Sequence, residues 1–238
     1  ALTNLFAMKQ GMGISLLLTR VWPGRFSRFA DRILGPDASL DDRETLKYQI
    51  DLVLKQYKQV KDLEERVASQ SILEGYGRLD ALNRIGNQVF AIDLKKPENY
   101  AGSSAPVHYP RIWNTPWFDW VQYNGSIMQP MVRNAGESRG VSAELNLTEP
   151  SKGLYKSSVH GEPRFAMEQM IKGDSVPNAK DGFPGLQSPK WPGDILPPID
   201  QKLAALGGEL YKTHCQECHR PPVTSAAFYD FNNKNWWT

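Results

Sequence analysis

The sequence predicts a mainly α-helical protein with long irregular, loop-rich segments, on three observations. Residues 40–70 place apolar side chains three and four positions apart, which is the period of an amphipathic helix. Residues 77–94 carry a second apolar stripe of the same period. Proline and glycine are frequent over residues 95–198, and they exclude long helices there. Short helices are still expected at residues 119–122, 131–138 and 163–171.

Three regions follow from these patterns. We expect a helical region over residues 1–94, a loop-rich aromatic segment over residues 95–197, and a third region over residues 198–238 whose first helix runs into the two cysteines. The middle segment concentrates large aromatic residues, which favours an ordered loop because disordered segments are poor in aromatics. These residues are Trp113, Trp117, Phe118 and Trp120.

Composition limits the class of protein. The 238 residues are 40% hydrophobic and 23% charged, as in ordinary soluble globular proteins, and the formal net charge of +2 gives no case for nucleic acid as a partner. No apolar run is long enough to predict a transmembrane segment. The apolar N-terminal run is interrupted by Lys9, Gln10 and Arg20 and is not a usual signal peptide, so an export signal is expected upstream of residue 1 or already removed.

The motif with the clearest chemistry consists of Cys215, Cys218 and His219. In Cys-x-x-Cys-His each thiol is placed to add to one vinyl group of haem, and the histidine is placed to bind the iron. We therefore predict one covalent haem c on this chain, held by both cysteines, with His219 as the metal ligand. The helix before the motif carries an apolar stripe made of Leu203, Leu206, Leu210 and Tyr211.

Three other uses of these cysteines compete with haem. A structural zinc site needs four ligands, and the sequence has no second cysteine pair, while His214 is badly placed. A thioredoxin-like redox pair expects a strand before the motif, where this sequence predicts a helix. A disulfide across two intervening residues is strained and rare as a structural staple. Haem is favoured because it accounts for both cysteines.

Covalent haem fixes the expected compartment and partners. Haem c is attached outside the energy-transducing membrane, so we expect a bacterial periplasmic or secreted protein, and the lack of other thiols fits an oxidising space. The expected partners are a redox protein that donates or accepts electrons and a small oxidant such as peroxide or dioxygen.

The polar face of the second helix is another candidate site. Asp80, Asn83, Arg84 and Asn87 fall together on it, and a face this rich in Asn and Arg is poorly suited to plain solvent exposure. Two interpretations of Arg84 stay open at this point. It forms an ordinary ion pair with Asp80 at i and i+4, or it binds a haem carboxylate, which a planar guanidinium suits.

Two parts of the sequence resemble known haem proteins. The helix ending Gly-x-x-Tyr-x-x-x-Cys-x-x-Cys-His resembles cytochromes c, in which a small residue such as Gly208 lets two helices cross closely and an aromatic such as Tyr211 packs at the crossing. The runs "LDALNRIGNQVF" and "FDWVQYNGS" are similar to the segment between the two haems of bacterial di-haem cytochrome c peroxidases and rubber oxygenases. This resemblance covers residues 74–142 and the haem motif, and residues 1–73 match only loosely.

The resemblance implies a di-haem oxidoreductase of which this chain is a piece. A second haem is then expected upstream of residue 1, with residues 1–94 as a remainder of that haem domain and residues 198–238 as the truncated start of a cytochrome c-like domain. It implies that a tryptophan between the haems carries electrons, with Trp113 and Trp120 as the candidates. Asn134 and Glu137 are candidates for hydrogen bonds or proton transfer to bound oxygen species, and equally for capping a short helix.

The second ligand of the iron decides the function. Iron with an open position reacts with peroxide or dioxygen, whereas iron with two protein ligands transfers electrons. The expected function is a di-haem peroxidase- or oxygenase-type enzyme, and the alternative is an electron-transfer cytochrome c without catalytic chemistry of its own. For each ligand candidate a surface or core role is the simpler interpretation. These candidates are His108, His160, Met128, Met131, Met167 and Met170.

Overall fold

A computed structural model describes residues 4–109, 111–122, 125–221, 223 and 225–230, and these residues are mainly helical. The coarse fold class predicted from the sequence is therefore confirmed. The α-helices of the described residues are α1 (Leu5–Val21), α2 (Pro23–Leu34), α3 (Leu40–Arg66), α4 (Ala81–Gly86), α5 (Pro130–Gly140), α6 (Gly161–Lys172) and α7 (Gln201–His214). The strands are β1 (Arg78–Leu79), β2 (Val107–His108), β3 (Trp120–Val121) and β4 (Ile127–Met128). β1 pairs with β2 and β3 with β4, both antiparallel.

The chain divides into two compact units. The first comprises Ala1–Tyr109 and Glu137–Ser158, and the second comprises Pro110–Gly136 and Val159–Thr238. The three regions predicted from composition remain a prediction about chain organisation, and the last eight residues of the third region lie outside the described residues. Within the described residues, no helix has the length and apolarity that a membrane crossing needs.

The core of the first unit lies between α2 and α3. Phe26 and Ala30 of α2 pack against Leu46 and Ile50 of α3, and all four side chains are buried. The sequence predicted α3 from its apolar period, and the structure confirms it. Ser39 begins this helix with a capping box, since its hydroxyl accepts from the Asp42 backbone N–H at 3.1 Å while the Asp42 carboxylate accepts from the Ser39 N–H at 3.3 Å.

Helix α1 packs on α3 through a glycine. A Cβ atom at Gly13 would lie 2.8 Å from the ring of Tyr57, so the missing side chain permits the close approach. Arg20 then pairs with Asp51 through two hydrogen bonds of 2.8 and 3.0 Å. The sequence pattern did not predict α1, because apolar residues occupy several of its faces and many stay exposed. Among them are Met8, Met12, Ile14 and Leu17.

The second predicted helix exists but starts later than residue 77. Arg78 and Leu79 form β1, and Asp80 caps α4 by accepting a hydrogen bond from the Asn83 backbone N–H. From Asn87 to Asp93 the helix widens into a π-helix, a rare form that occurs frequently at functional sites. Its carboxyl end is held by Asp93, which pairs with Arg139 in the same unit.

The second unit contains the first part of α5, the helices α6 and α7, and the antiparallel pair of β3 and β4. α5 and α6 confirm the helices predicted at residues 131–138 and 163–171. The helix predicted at residues 119–122 is wrong, because Trp120 and Val121 form β3. Both residue types favour extended backbone, and Gly125 has φ 63°, a conformation that glycine adopts without strain.

Candidate functional site

The Cys-x-x-Cys-His motif directly follows helix α7. The helix begins at Asp200, whose carboxylate accepts from the backbone N–H groups of Lys202 and Leu203 at 2.9 and 3.1 Å. It ends at Cys215, whose N–H donates to the Tyr211 carbonyl at 2.8 Å. The predicted helix before the motif is confirmed, and it places the first cysteine directly at the helix terminus.

The motif itself is a compact turn. The backbone N–H groups of Cys218 and His219 both donate to the Cys215 carbonyl, at 3.2 and 2.8 Å. Neither thiol is in a disulfide; Cys215 is partly exposed and Cys218 exposed, as is the His219 side chain. Both thiols and the imidazole are therefore accessible from solvent and lie on one short turn.

The apolar stripe of α7 is uncovered by the described residues. Leu203, Leu206 and Leu210 are 66%, 57% and 51% exposed, and no residue of the helix is buried. A Cβ atom built on Gly207 or Gly208 would meet nothing within 4 Å. An apolar stripe on one face indicates that a helix packs against another apolar surface. The described residues do not provide a surface that covers this stripe.

An aromatic cluster holds the chain after the motif. The Tyr211 hydroxyl donates to the Arg220 carbonyl, and the Arg220 guanidinium lies 4.5 Å from the centre of the Phe228 ring and 5.3 Å from that of Phe118. Burial lowers the pKa of Arg220 to about 10. Phe228 also contacts Phe183 edge to face at 5.7 Å. Sequence reasoning missed this cluster, whose contacts join residues far apart in the chain.

The candidate second iron ligands lie in varied settings. Met128, Met167 and Met170 are 59%, 46% and 73% exposed. Met131 is partly exposed, and His108 and His160 are exposed, the latter at the start of α6. Among the described residues, no three His, Cys, Asp or Glu side chains come together as a metal-binding group. The second ligand stays a prediction.

The candidate tryptophans differ in their surroundings. Trp120 lies on β3 opposite Met128 and is 50% exposed, and Trp113 is partly buried in the preceding loop. The neighbouring Trp117 is held by two contacts: its Nε1 donates to the Lys172 carbonyl at 3.0 Å, and the Lys172 ammonium lies 4.6 Å from its ring centre. Trp117 thus anchors the aromatic loop to the end of α6, and Trp113 and Trp120 remain candidates for electron transfer.

Asn134 lies in a buried polar cluster of the second unit. Its Nδ2 donates to Oε1 of Glu168 at 2.9 Å, and its Oδ1 accepts from Nη1 of Arg164 at 3.0 Å. Arg133 donates to the same Glu168 oxygen at 2.6 Å, and Glu168 is only 3% exposed. The sequence singled out Asn134 but missed Glu168, because 34 residues separate them. Glu137, the other candidate of this helix, is partly buried.

Arg84 has a partner that neither interpretation of the sequence named. Its Nε and Nη2 donate to the two carboxylate oxygens of Glu74 at 2.8 and 2.6 Å, and both side chains are largely buried. Asp80 does not pair with it and instead accepts from the backbone of Asn83, Ser104 and Ala105. The interpretation of Asp80 and Arg84 as an ion pair is therefore wrong, and the alternative, that Arg84 binds a haem carboxylate, stays a prediction.

A cavity of about 270 Å³ opens beside this ion pair in the first unit. Its wall includes Glu64, Glu74, Arg84 and Tyr100 together with apolar side chains such as Phe6 and Ile72. Burial raises the pKa of Tyr100 to about 12, so the phenol is neutral at ordinary pH.

Asparagines of the polar helix face shape the cavity. The Asn87 side chain both donates to and accepts from the backbone of Ala101, at 2.8 and 2.9 Å, and it also donates to Asn83 at 3.1 Å. This confirms that the face rich in Asn and Arg is not plain solvated surface.

Comparison with known proteins adds one relative. The chain is 51% identical over 236 residues to an uncharacterized protein, y4iJ, of Sinorhizobium fredii (strain NBRC 101917 / NGR234), a match that covers 99% of this chain and 39% of the relative. No protein-family model matches the chain, and no solved structure matches it. Because the chain spans only about two fifths of the relative's length, the activity and partners of a whole protein are matters for proposal.

Proposed function

We propose that this chain is part of a bacterial, periplasmic or secreted c-type haem oxidoreductase of the di-haem peroxidase or oxygenase type. The observation that carries the proposal is the end of α7, where two free, accessible thiols and an exposed histidine follow a helix with an uncovered apolar stripe. The oxidoreductase class is proposed from two resemblances. The motif helix resembles cytochromes c, and residues 74–142 resemble di-haem proteins.

The residues of the motif fit the chemistry of haem attachment. Cys215 and Cys218 would hold haem through two thioether bonds, each formed by addition of one S–H across one vinyl C=C bond, so that the sulfur would bond to one vinyl carbon and the hydrogen to the other. The addition consumes no oxidant or reductant. It needs both thiols reduced and reachable, as Cys215 and Cys218 are. His219 would offer a ring nitrogen to the iron.

The uncovered stripe of α7 fits the same group. A flat apolar macrocycle and a second helix are what the cytochrome c resemblance places beside such a helix. Leu206 and Leu210 offer apolar contact there, and the open space at Gly207 and Gly208 admits a close approach. Bound haem would supply one-electron transfer and, where its iron keeps an open position, reaction with peroxide or dioxygen.

An electron-transfer cytochrome without chemistry of its own is the second candidate. The placement of Asn134 favours it, because the amide of this residue is already used by Glu168 and Arg164 and so has a sufficient structural reason to be present. The firm anchoring of Trp117 likewise explains part of the aromatic content by packing.

Haem attachment is tested by expressing the chain with a c-type haem maturation system. We expect one covalent haem by intact mass and pyridine haemochrome spectrum, lost in the Cys215→Ala, Cys218→Ala double variant. His219→Ala should shift the absorption spectrum through loss of an iron ligand. His214→Ala is the matched control, since this exposed histidine lies one residue before Cys215 and should leave the spectrum unchanged. A chain that binds zinc and no haem would refute the proposal.

The two candidate functions are separated by turnover of the full-length protein. The enzyme predicts reduction of hydrogen peroxide with a reduced donor, or cleavage of a polyisoprene-like substrate by dioxygen. A high-spin ferric spectrum would accompany an open iron position, whereas a low-spin spectrum and no turnover would favour the electron-transfer cytochrome.

A further inference from the structure

Helix α1 exposes mainly apolar side chains. Ile14, Leu17 and Val21, all in its second half, are 60%, 51% and 55% exposed. The charged residues of this helix are Lys9 and Arg20, and both are partly buried. The exposed side of a surface helix normally carries charged side chains, so this side is suited to contact with an apolar surface or phase.

Trp22 links α1 to α2 and is also exposed. It is the one residue between the last residue of α1, Val21, and the first residue of α2, Pro23, and it is 58% exposed. The core between α2 and α3 does not include it. A tryptophan ring combines a large apolar area with one N–H donor, a combination that is enriched where proteins meet the membrane interface.

Helix α2 carries three arginines on one side. Arg25, Arg28 and Arg32 lie three and four positions apart, which places them on one helix face. Arg25 donates to Oγ of Ser15 at 2.7 Å and to Oγ1 of Thr19 at 3.0 Å, which holds the start of α2 against α1. Arg28 and Arg32 are exposed. Among the described residues, no carboxylate forms a salt bridge with any of the three guanidinium groups.

Positive charge is concentrated in this part of the chain. Residues 4–35 contain one lysine and four arginines against a single carboxylate, a formal charge of +4, whereas the whole chain has +2. The single carboxylate, that of Asp31, is held by Arg43 of α3 at 2.6 Å. The segment that exposes apolar side chains is therefore also the one that attracts an anionic surface.

The apolar and the basic side chains lie close together where the two helices meet. An α-helix rises about 1.5 Å per residue, so Leu17 lies about 6 Å from Val21 along α1, and Arg28 lies about 8 Å from Pro23 along α2. Exposed apolar side chains next to arginines without carboxylate partners are typical of proteins that bind to membrane surfaces. We call this surface the α1–α2 junction, and it consists of Leu17, Val21, Trp22, Arg28 and Arg32.

We propose that the α1–α2 junction binds the surface of an anionic phospholipid membrane, with Val21 and Trp22 in the interfacial region and Arg28 and Arg32 at lipid phosphates. Charge complementarity selects an anionic partner, and the exposed apolar side chains favour lipid over nucleic acid, whose protein interfaces are more polar. No residue of the haem motif takes part, so this inference does not rest on the proposed function.

The test is cosedimentation of the full chain with vesicles of phosphatidylglycerol and phosphatidylcholine in equal amounts, compared with vesicles of phosphatidylcholine alone. We expect at least about tenfold stronger binding to the anionic vesicles, and we expect 0.5 M NaCl to weaken it because salt screens the attraction. The Arg28→Gln, Arg32→Gln double variant should weaken binding at least about tenfold, because each arginine near an anionic surface contributes about fivefold. Lys55→Gln, Lys58→Gln is the matched control, since it removes two charges from exposed positions of α3.

A second variant tests the apolar contact without changing the charge. Trp22→Gln should weaken binding to anionic vesicles, whereas Trp191→Gln should not, although Trp191 is similarly exposed at 53%. Circular dichroism checks that both variants stay folded. Equal binding to the two kinds of vesicle, or unchanged binding in either junction variant, would overturn the proposal.

Two further outcomes would assign the junction to another partner. Binding to polyglutamate without binding to anionic vesicles would overturn the proposal in favour of an acidic protein. Binding by this chain that is absent in a full-length protein would overturn it as well, because another part of the protein would then cover the junction. The Cys215→Ala, Cys218→Ala variant should bind the vesicles as the unchanged chain does, so failure of the haem assignment and failure of this inference give different results.

Discussion

Arg84 and Glu74 face each other through two parallel hydrogen bonds, Nε to Oε1 at 2.8 Å and Nη2 to Oε2 at 2.6 Å. Glu74 also accepts from the Asp80 backbone N–H at 3.0 Å, so both ends of the carboxylate are used. The pair joins the loop before β1 to helix α4. Since both side chains are largely buried, loss of either partner leaves a charge without compensation.

We therefore expect Glu74→Gln to lower the free energy of unfolding by about 3 kcal/mol, because the buried guanidinium of Arg84 loses its counterion. Urea denaturation at pH 7 measures this. Glu65→Gln is the control, since Glu65 pairs with Lys61 on the exposed face of α3 and should change stability by less than about 0.5 kcal/mol. Equal effects of the two variants would contradict the structural role of Glu74.

Acidification should remove the contribution of Glu74. Burial alone would raise the pKa of this carboxyl, but the hydrogen bonds from Arg84 and the Asp80 backbone hold it below its ordinary value of 4.5. The unfolded chain then takes up the proton first as the pH falls. The stabilisation is complete above pH 4.5 and is lost as the pH falls from there through the folded-state pKa. Urea midpoints between pH 7 and pH 3 should show the difference between wild type and Glu74→Gln shrinking over this window.

Gly173 and Gly185 should resist substitution. Gly173 ends α6 with φ 75° and ψ 175°, Gly185 has φ 82°, and a Cβ on Gly173 would lie 2.8 Å from the Gly185 Cα. Gly173→Ala and Gly185→Ala should each cost about 2 kcal/mol or more, since both the backbone angle and the contact exclude a side chain. Thermal denaturation measures this against Gly161→Ala, where a Cβ meets nothing within 4 Å. A large effect of the control variant would show that the method does not report on this contact.

Trp117 should be a structural tryptophan and Trp120 should not. Trp117→Phe removes the hydrogen bond to the Lys172 carbonyl and should cost about 1 kcal/mol or more. Trp120→Phe changes a side chain that is half exposed and should leave the unfolding midpoint nearly unchanged. If Trp120→Phe instead slowed haem reduction in the loaded protein, the electron-transfer assignment of Trp120 would gain support independent of stability.

Asn134 should affect stability whether or not haem is attached. Asn134→Ala loses hydrogen bonds to Glu168 and Arg164 and should cost about 2 kcal/mol in the haem-free chain. Val132→Ala, at a 58% exposed position of the same helix, should be nearly neutral. If Asn134→Ala left the free energy of unfolding unchanged but abolished turnover, a catalytic role of Asn134 would be supported instead.

Sequence patterns predicted elements whose information is local. α3 and α7 were predicted because the apolar period of each helix lies within one segment, and Cys215, Cys218 and His219 were singled out because their spacing is itself the signal. α1 was missed because its apolar residues do not form a single stripe. The partners of Arg84 and Asn134 were missed because Glu74 and Glu168 lie 10 and 34 residues away, where only the folded chain brings them together.

All fourteen residues of α7 are at least partly exposed to water. A helix of this length is marginal without tertiary contacts. Its amide protons should therefore exchange quickly with deuterium until an apolar surface covers Leu203, Leu206 and Leu210, and slowly thereafter. Covering this helix should also lower the heat capacity of the protein in proportion to the apolar area removed from water. Folding of α7 and binding of the surface that covers it should then occur as a single cooperative transition.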